Sequence, residues 1–216
     1  MIAHMTADAF QQETNVSRET VSRLESYAEL LNAWQKKINL VGRGTIDDVW
    51  RRHMLDSAQL VKLLPEATET VTDLGSGGGF PGMVVAIMTG VETHLIEANT
   101  RKTVFLREAA RITEARVEVH NGRIEEIDPW QTDIITARGL APLDKLLNLA
   151  YPFLAESTQK ETICLFLKGS QAEQELTCAR KQWNMQIEQH KSASGDGRIL
   201  SIRGVTRGPS GSERVG

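Results

Sequence analysis

The stretch VTDLGSGGGFPG (71–82) constrains the fold of this chain more than any other, because it joins a strand pattern to a helix pattern through four glycines in five residues. ETVTDLG (69–75) reads as a strand and PGMVVAIMT (81–89) as a buried helix, with Pro81 suited to a first helical turn. Glycines at 75, 77 and 79 let the backbone turn tightly and approach another molecule where a side chain would stand in the way. A strand–glycine turn–helix unit is where an open α/β sheet takes its ligand, at the carboxyl end of the strand.

The rest of the chain continues that rhythm. THLIEA (93–98), RVEVHN (116–121), DIITAR (133–138) and TICLFLK (162–168) read as strands. Between them lie helices over 101–112, with Val104, Phe105, Ala109 and Ile112 inward, and over 143–151; another follows at 171–182. MQIEQHK (185–191) and RILSIRGV (198–205) form a closing antiparallel pair around SASGDG. Upstream, Ser17 caps a helix carrying Val21, Leu24, Tyr27, Ala28, Leu31 and Trp34, and a second helix runs from about Ile46 to Leu64, where Pro65 stops it. The expected architecture is α/β, a Rossmann-like, mostly parallel sheet with helices on both faces and a helical N-terminal extension. The division is a helical cap over 1–66, a ligand-binding domain over 67–207 and a flexible tail over 208–216.

Composition narrows the function. Lacking a basic flank with an apolar run at its start and any span of about 20 apolar residues, the chain is expected to be a cytoplasmic monomer without membrane contact. Cys164 and Cys178 make no disulfide framework, and the five histidines are scattered singly, so no metal is expected. A net charge of −3 argues against a generic nucleic-acid binder, yet residues 34–62, 98–123 and 190–216 each carry +3. These islands either converge on one positive face or are ordinary solvated helix faces.

Several ligands compete for the glycine turn. A P-loop is excluded, since no Gly-Lys-Ser/Thr follows. Residues 77–82 satisfy the dinucleotide pattern GxGxxG, but Asp73 would face the anionic pyrophosphate. A carboxylate there suits a ligand bearing a cation, and Glu97, ending the next strand, suits the hydroxyls of a ribose.

Asp73-Leu-Gly75-Ser-Gly77-Gly-Gly79 resembles the DxGxGxG signature of class I S-adenosylmethionine-dependent methyltransferases. More narrowly, DLGSGGGFPG (73–82) resembles the glucose-inhibited division protein B family, the small-subunit ribosomal RNA methyltransferases G. WQKKINLVG (34–42), RRHMLDS (51–57), IEANTRKTVFLREAA (96–110), NGRIEEI (121–127), TARGLAPLDKLLNLAYPFL (136–154) and FLKG (166–169) are similar to further segments of that family, in order. Gln35, Val41, Ala98 and Gly139 depart from its usual residues, and the likeness fades beyond 170 apart from Arg198.

The resemblance implies S-adenosyl-L-methionine as cofactor, N7 of a guanine in 16S rRNA as target, and the small ribosomal subunit or its precursor as partner. It implies that Asp73 and the backbone of Gly75, Gly77 and Gly79 hold the methionine portion, Glu97 the ribose, and Ile124 and Glu125 the adenine, with Phe80 and Arg138 also in the cofactor site. Arg138, Arg123 and Asn39 are the candidates for work at the target base. Arg138 either clamps phosphate or base, or forms an ion pair with Asp73 or Glu97. Lys36, Lys37, Arg51, Arg52, His53, Arg101, Lys102, Lys168 and Arg198 are candidates for RNA contact, with His53 more readily a hydrogen-bonded structural residue, partnered by Asp56 on its helix face. Trp34, Trp50, Trp130 and Trp183 read as packing residues rather than base-stacking ones. A methyltransferase for a small molecule or protein, a non-catalytic RNA-binding module and a dinucleotide oxidoreductase are the weaker alternatives.

Overall fold

The computed structural model describes residues 4–42, 44–157, 160–193 and 195–208; Arg43 and residues 209–216 of the expected tail lie outside it. Seven strands form one sheet in the order β3-β2-β1-β4-β5-β7-β6. They are β1 (Thr70–Leu74), β2 (Glu92–Glu97), β3 (Val117–Asn121), β4 (Ile134–Arg138), β5 (Ile163–Lys168), β6 (Trp183–Lys191) and β7 (Arg198–Arg207). The first five run parallel, and β7 returns antiparallel beside β5 with β6 outside it. The chain goes from β1 outward to β3, then crosses back to β4 on the other side of β1. A crevice therefore opens between the carboxyl ends of β1 and β4, at the switch point of the sheet.

Helices cover both faces. On one, α2 (Arg18–Gln35), α4 (Gly82–Thr89) and α5 (Thr100–Thr113) enclose a core in which Tyr27 and Leu31 meet Met83, Leu95 and Phe105. On the other, α6 (Leu143–Glu156) and α7 (Ala172–Ala179) pack with Phe153, Leu176 and Trp183 onto β1, β4, β5 and β7. The Ser17 hydroxyl caps α2 by accepting from the Thr20 amide, as its position predicts. A further helix, α1 (Ala7–Thr14), capped by Thr6, buries Phe10 and was not marked by any periodic apolar run. Among the described residues no helix is long and apolar enough to cross a membrane.

Three local expectations are corrected. The helix expected over 46–64 is a broken coil: 3-10 turns at Ile46–Asp48 and Gln59–Leu63 flank a π-helical stretch, Trp50–Leu55, and the short α3 (Asp56–Ala58). The wider π turn allows three consecutive residues, His53, Met54 and Leu55, to be buried together, which an α-helix of fixed pitch would spread around its circumference. On α5, Val104 faces solvent at 48% exposure, and Leu106 takes the inward place beside Phe105. Helix α6 continues through Pro152 to Glu156 rather than ending at Tyr151.

Candidate active site

The crevice holds a cavity of about 690 Å³. One wall is the turn after β1: Gly75, Gly77 and Gly79 have φ of +65°, +57° and +91°, the left-handed region that favours glycine. A Cβ on Gly79 would lie 2.6 Å from the Tyr27 hydroxyl, and one on Gly75 would lie 2.5 Å from Leu140. The Tyr27 hydroxyl also donates to the Gly78 carbonyl, tying α2 to the turn.

Glu97, buried at the end of β2, is the second wall. Its Oε2 accepts from the Gly77 amide and its Oε1 from the Asn99 amide, both at 2.8 Å. One carboxylate thus fixes the glycine turn and the start of α5 together, while still lining the cavity. Asn99 in turn caps α5, accepting from the amides of Arg101 and Lys102. Gly122, Arg123, Ile124 and Glu125, in the loop after β3, form the wall opposite the turn.

Asp73 is placed differently from a residue that meets a ligand directly. It is fully buried below the turn and is absent from the cavity lining, as is Gly79. Its Oδ1 accepts from the Thr136 hydroxyl at 2.6 Å, whereas Oδ2 finds no hydrogen bond of normal geometry among the described residues. Burial pushes its pKa up to about 6, partly opposed by the Thr136 hydroxyl, by the nearby Ser76 hydroxyl and Gly82 amide, and by Arg138. The Ser76 hydroxyl donates instead to the Asp73 main-chain carbonyl at 3.0 Å.

The remaining wall joins the N-terminal segment to β4. Arg138, at the end of β4, donates from Nη1 to the Arg52 carbonyl (3.1 Å) and from Nη2 to His53 Nδ1 (2.7 Å), and stands 3.7 Å from Asp56 Oδ2. Its guanidinium lies 4.9 Å over the Phe80 ring. An arginine cannot accept a hydrogen bond, so Nδ1 is the acceptor and the His53 proton sits on Nε2, 2.7 Å from the Thr45 hydroxyl. That hydroxyl in turn donates a hydrogen bond to the Gly42 carbonyl. Burial, then the charges of Arg138 and Arg52, lower the His53 pKa to about 3, so the ring is neutral. The ion pair expected between Arg138 and Asp73 or Glu97 is therefore made with Asp56. Asp56 serves Arg138 and the Ser192 hydroxyl (2.7 Å), where it was expected to partner His53.

A second cavity of about 400 Å³ adjoins the first, sharing Thr45, His53, Arg138 and Gly139 as a common wall. Arg52 and Arg198 line it, while Lys102 and Arg123 line the first, so each basic island contributes to the joined space. Lys36, Lys37, Arg101 and Asn39 are exposed outside both linings. Arg51 is turned to Asp48, 3.7 Å away. Lys168 also lines the second cavity, but it is not the free cation expected: at 7% side-chain exposure its ammonium donates to the Ala141 carbonyl (2.7 Å) and pairs with Glu175 (2.6 Å), so its charge is already compensated within the chain. Glu175 also accepts from the Leu143 amide, so this trio anchors the loop before α6.

The set of groups fits a nucleoside bearing an amino-acid cation. The main cavity is in the volume range of small-molecule sites, the Glu97 carboxylate stands at its wall, and the charge of Asp73 lies buried beneath the turn.

Known proteins give the same direction. The family model for GidB, rRNA small subunit methyltransferase G, matches residues 20–199. The ribosomal RNA small subunit methyltransferase G of Rhodospirillum rubrum is 50% identical over 204 residues, 94% of this chain and 100% of that one. That of Gluconobacter oxydans is 55% identical over 172 residues, covering 80% and 86%. Among solved structures, an O-methyltransferase from Bacillus cereus in complex with SAH superposes with a TM-score of 0.56 at 15% identity, covering 84% of this chain and 90% of that one. A SAM-dependent methyltransferase from Aquifex aeolicus gives 0.56 at 16%, covering 74% and 95%. At such identity the structural likeness speaks for the fold alone.

Proposed function

This chain belongs to the rRNA small subunit methyltransferase G family, and from that premise we propose that it transfers a methyl group from S-adenosyl-L-methionine to N7 of a guanine in 16S rRNA. The partner is the small ribosomal subunit or its precursor, met in the cytoplasm by a single copy of the chain. Residues 1–66 act as a cap that supplies Thr45, His53 and Asp56 to a site otherwise built by 67–207. The observation that carries the reading is the pair of joined cavities, one walled by the glycine turn and Glu97, the other edged by Arg52 and Arg198.

When bound, S-adenosylmethionine supplies a methyl group already activated by a sulfonium. Guanine N7 carries a free lone pair, so the chain needs no general base, and its residues act by positioning. The neutral His53 ring and the Asp56-paired Arg138 suit this chemistry: the purine becomes cationic, and neither an imidazolium nor an uncompensated guanidinium opposes it. Glu97 and the backbone of the turn hold the ribose and methionine parts, with Phe80 behind them and Ile124 and Glu125 beside the adenine. Asp73 acts from below, by its negative charge and by tying the end of β1 to Thr136 of β4. Lys102, Arg123, Arg52 and Arg198 line the route of the RNA, with Lys36, Lys37, Arg101 and Asn39 on the approach.

The test is incubation with methyl-labelled S-adenosylmethionine and, separately, deproteinised 16S rRNA and 30S particles, followed by mapping of the labelled nucleotide. Label at a single N7-guanine is expected. Label appearing only in small molecules or protein would replace this reading with the methyltransferase alternative.

A further inference from the structure

Among histidines that stand singly in sequence, the parallel β2–β3 ladder brings two together. His94 lies opposite Glu118, and His120 follows Glu118 by two residues, so all three side chains leave the same face of the sheet. His94 Nδ1 and His120 Nε2 are 3.0 Å apart. The Glu118 carboxylate stands 3.7 Å from the first and 3.8 Å from the second. One donor atom from each residue falls within 4.8 Å of the other two.

We propose that His94, His120 and Glu118 form a binding site for one divalent first-row transition ion of the zinc class. Two imidazole nitrogens at about 2.0–2.1 Å from a shared ion would be separated by about 2.8–3.4 Å at angles between square and tetrahedral, a range that includes the spacing already present. Two nitrogens and one carboxylate select zinc, cobalt or nickel over magnesium or calcium, which prefer oxygen shells. The surroundings hold the rings for this task. The Trp130 indole packs 4.8 Å from the His94 ring and 4.6 Å from the His120 ring, and is itself pinned by donating to the Thr72 hydroxyl at 3.0 Å. On the far side of His94, Glu92, which also accepts from Arg116 at 3.1 Å, stands 3.6 Å from Nε2, close enough to favour a proton on that nitrogen and leave Nδ1 to the ion. Glu118 is mostly exposed, which gives the ion a path from solvent. The site ties β2 to the edge strand β3, whose continuation, Gly122–Glu125, walls the main cavity, so a bound ion would brace that wall.

Cobalt(II) titrated into the full chain tests this through visible absorption and through quenching of tryptophan emission, with zinc(II) as competitor. Saturation at one equivalent is expected, with a rise in Tm in zinc and loss of the quenching in Trp130→Phe. His94→Ala with His120→Ala should abolish saturable binding, and Glu92→Gln should weaken it about tenfold. Glu118→Gln, a change at an exposed side chain that spares the fold, should also weaken binding. No saturable uptake of cobalt or zinc up to about 1 mM, or unchanged affinity in Glu118→Gln, overturns the proposal and leaves the pair as a plain imidazole–imidazole hydrogen bond.

Discussion

The glycine turn and the Arg138–His53–Asp56 junction face the same cavity and are held by opposite means. The turn is a matter of excluded volume: Gly75 and Gly79 sit where a Cβ would strike Leu140 and Tyr27, and both have positive φ. Its conformation is local, set by left-handed glycines within five residues, while Tyr27 of α2, Leu140 and Glu97 close over it. The junction is a matter of charge and proton direction, and it joins residues 86 apart in the chain. Steric walls of the first kind tolerate almost no substitution but respond little to pH or salt. Polar walls of the second kind can be weakened in steps, one partner at a time.

The difference can be sharpened first at Gly79. Gly79→Ala combines a left-handed backbone with a contact at 2.6 Å to a buried phenol, and should cost about 4 kcal/mol, seen as a lower midpoint in urea with S-adenosylmethionine binding lost together with the fold. A fully stable alanine variant would break the steric account. Next is Asp73, buried beneath the glycine turn. Its folded pKa is raised from the ordinary 3.8 to about 6, so its contribution to stability is complete below about pH 3.8 and is lost as pH rises through about 6. That rise corresponds to about 3 kcal/mol. Asp73→Asn should therefore be the more stable protein by about that amount at pH 7–8, with the gain vanishing near pH 4, as thermal melts across pH would record.

At the junction, Arg138→Ala removes the partner of a mostly buried carboxylate and should cost about 2 kcal/mol, discounted for the 18% and 13% exposure of the pair. Methyl transfer to RNA should fall about a hundredfold through lost positioning, while calorimetric affinity for S-adenosylmethionine changes little. Loss of both in equal measure would merge the two walls into one. A smaller effect is expected of His53→Gln: because the imidazole titrates near 3, wild type and variant should share one pH–rate profile between about pH 6 and 8. An inflection present in the wild type alone would show that the His53 ring becomes charged within that range. Smallest is the salt dependence, where Arg101→Ala should reduce the slope of log affinity for RNA against log salt by about one, leaving the unmodified chemistry intact.

Much of the sheet was legible because its signals are local. β1 to β7, and helices α2 and α4 to α7, follow from apolar periodicity, caps and glycine turns, and Glu97 was recognisable as a strand-end carboxylate beside the cavity. What escaped depends on partners distant in sequence. Lys168 reads as a free cation until Glu175 on α7 and the Ala141 carbonyl come beside it. Asp56 reads as a partner of His53, three residues away, until β4 delivers Arg138. The π stretch from Trp50 was hidden because burial of three adjacent residues has no helical period. His94 and His120 look unrelated at a separation of 26 residues, and only the register of two parallel strands makes them neighbours.

Tyr27, Leu24 and Leu31 of α2 are completely buried in one cluster with Met83, Phe105 and Leu106 of the sheet domain. A truncated polypeptide starting at the first strand would therefore emerge with a greasy flank and a glycine turn missing its phenol strut. Such a fragment should self-associate rather than serve as a minimal enzyme, so this molecule cannot be dissected into a portable catalytic half and a dispensable lid.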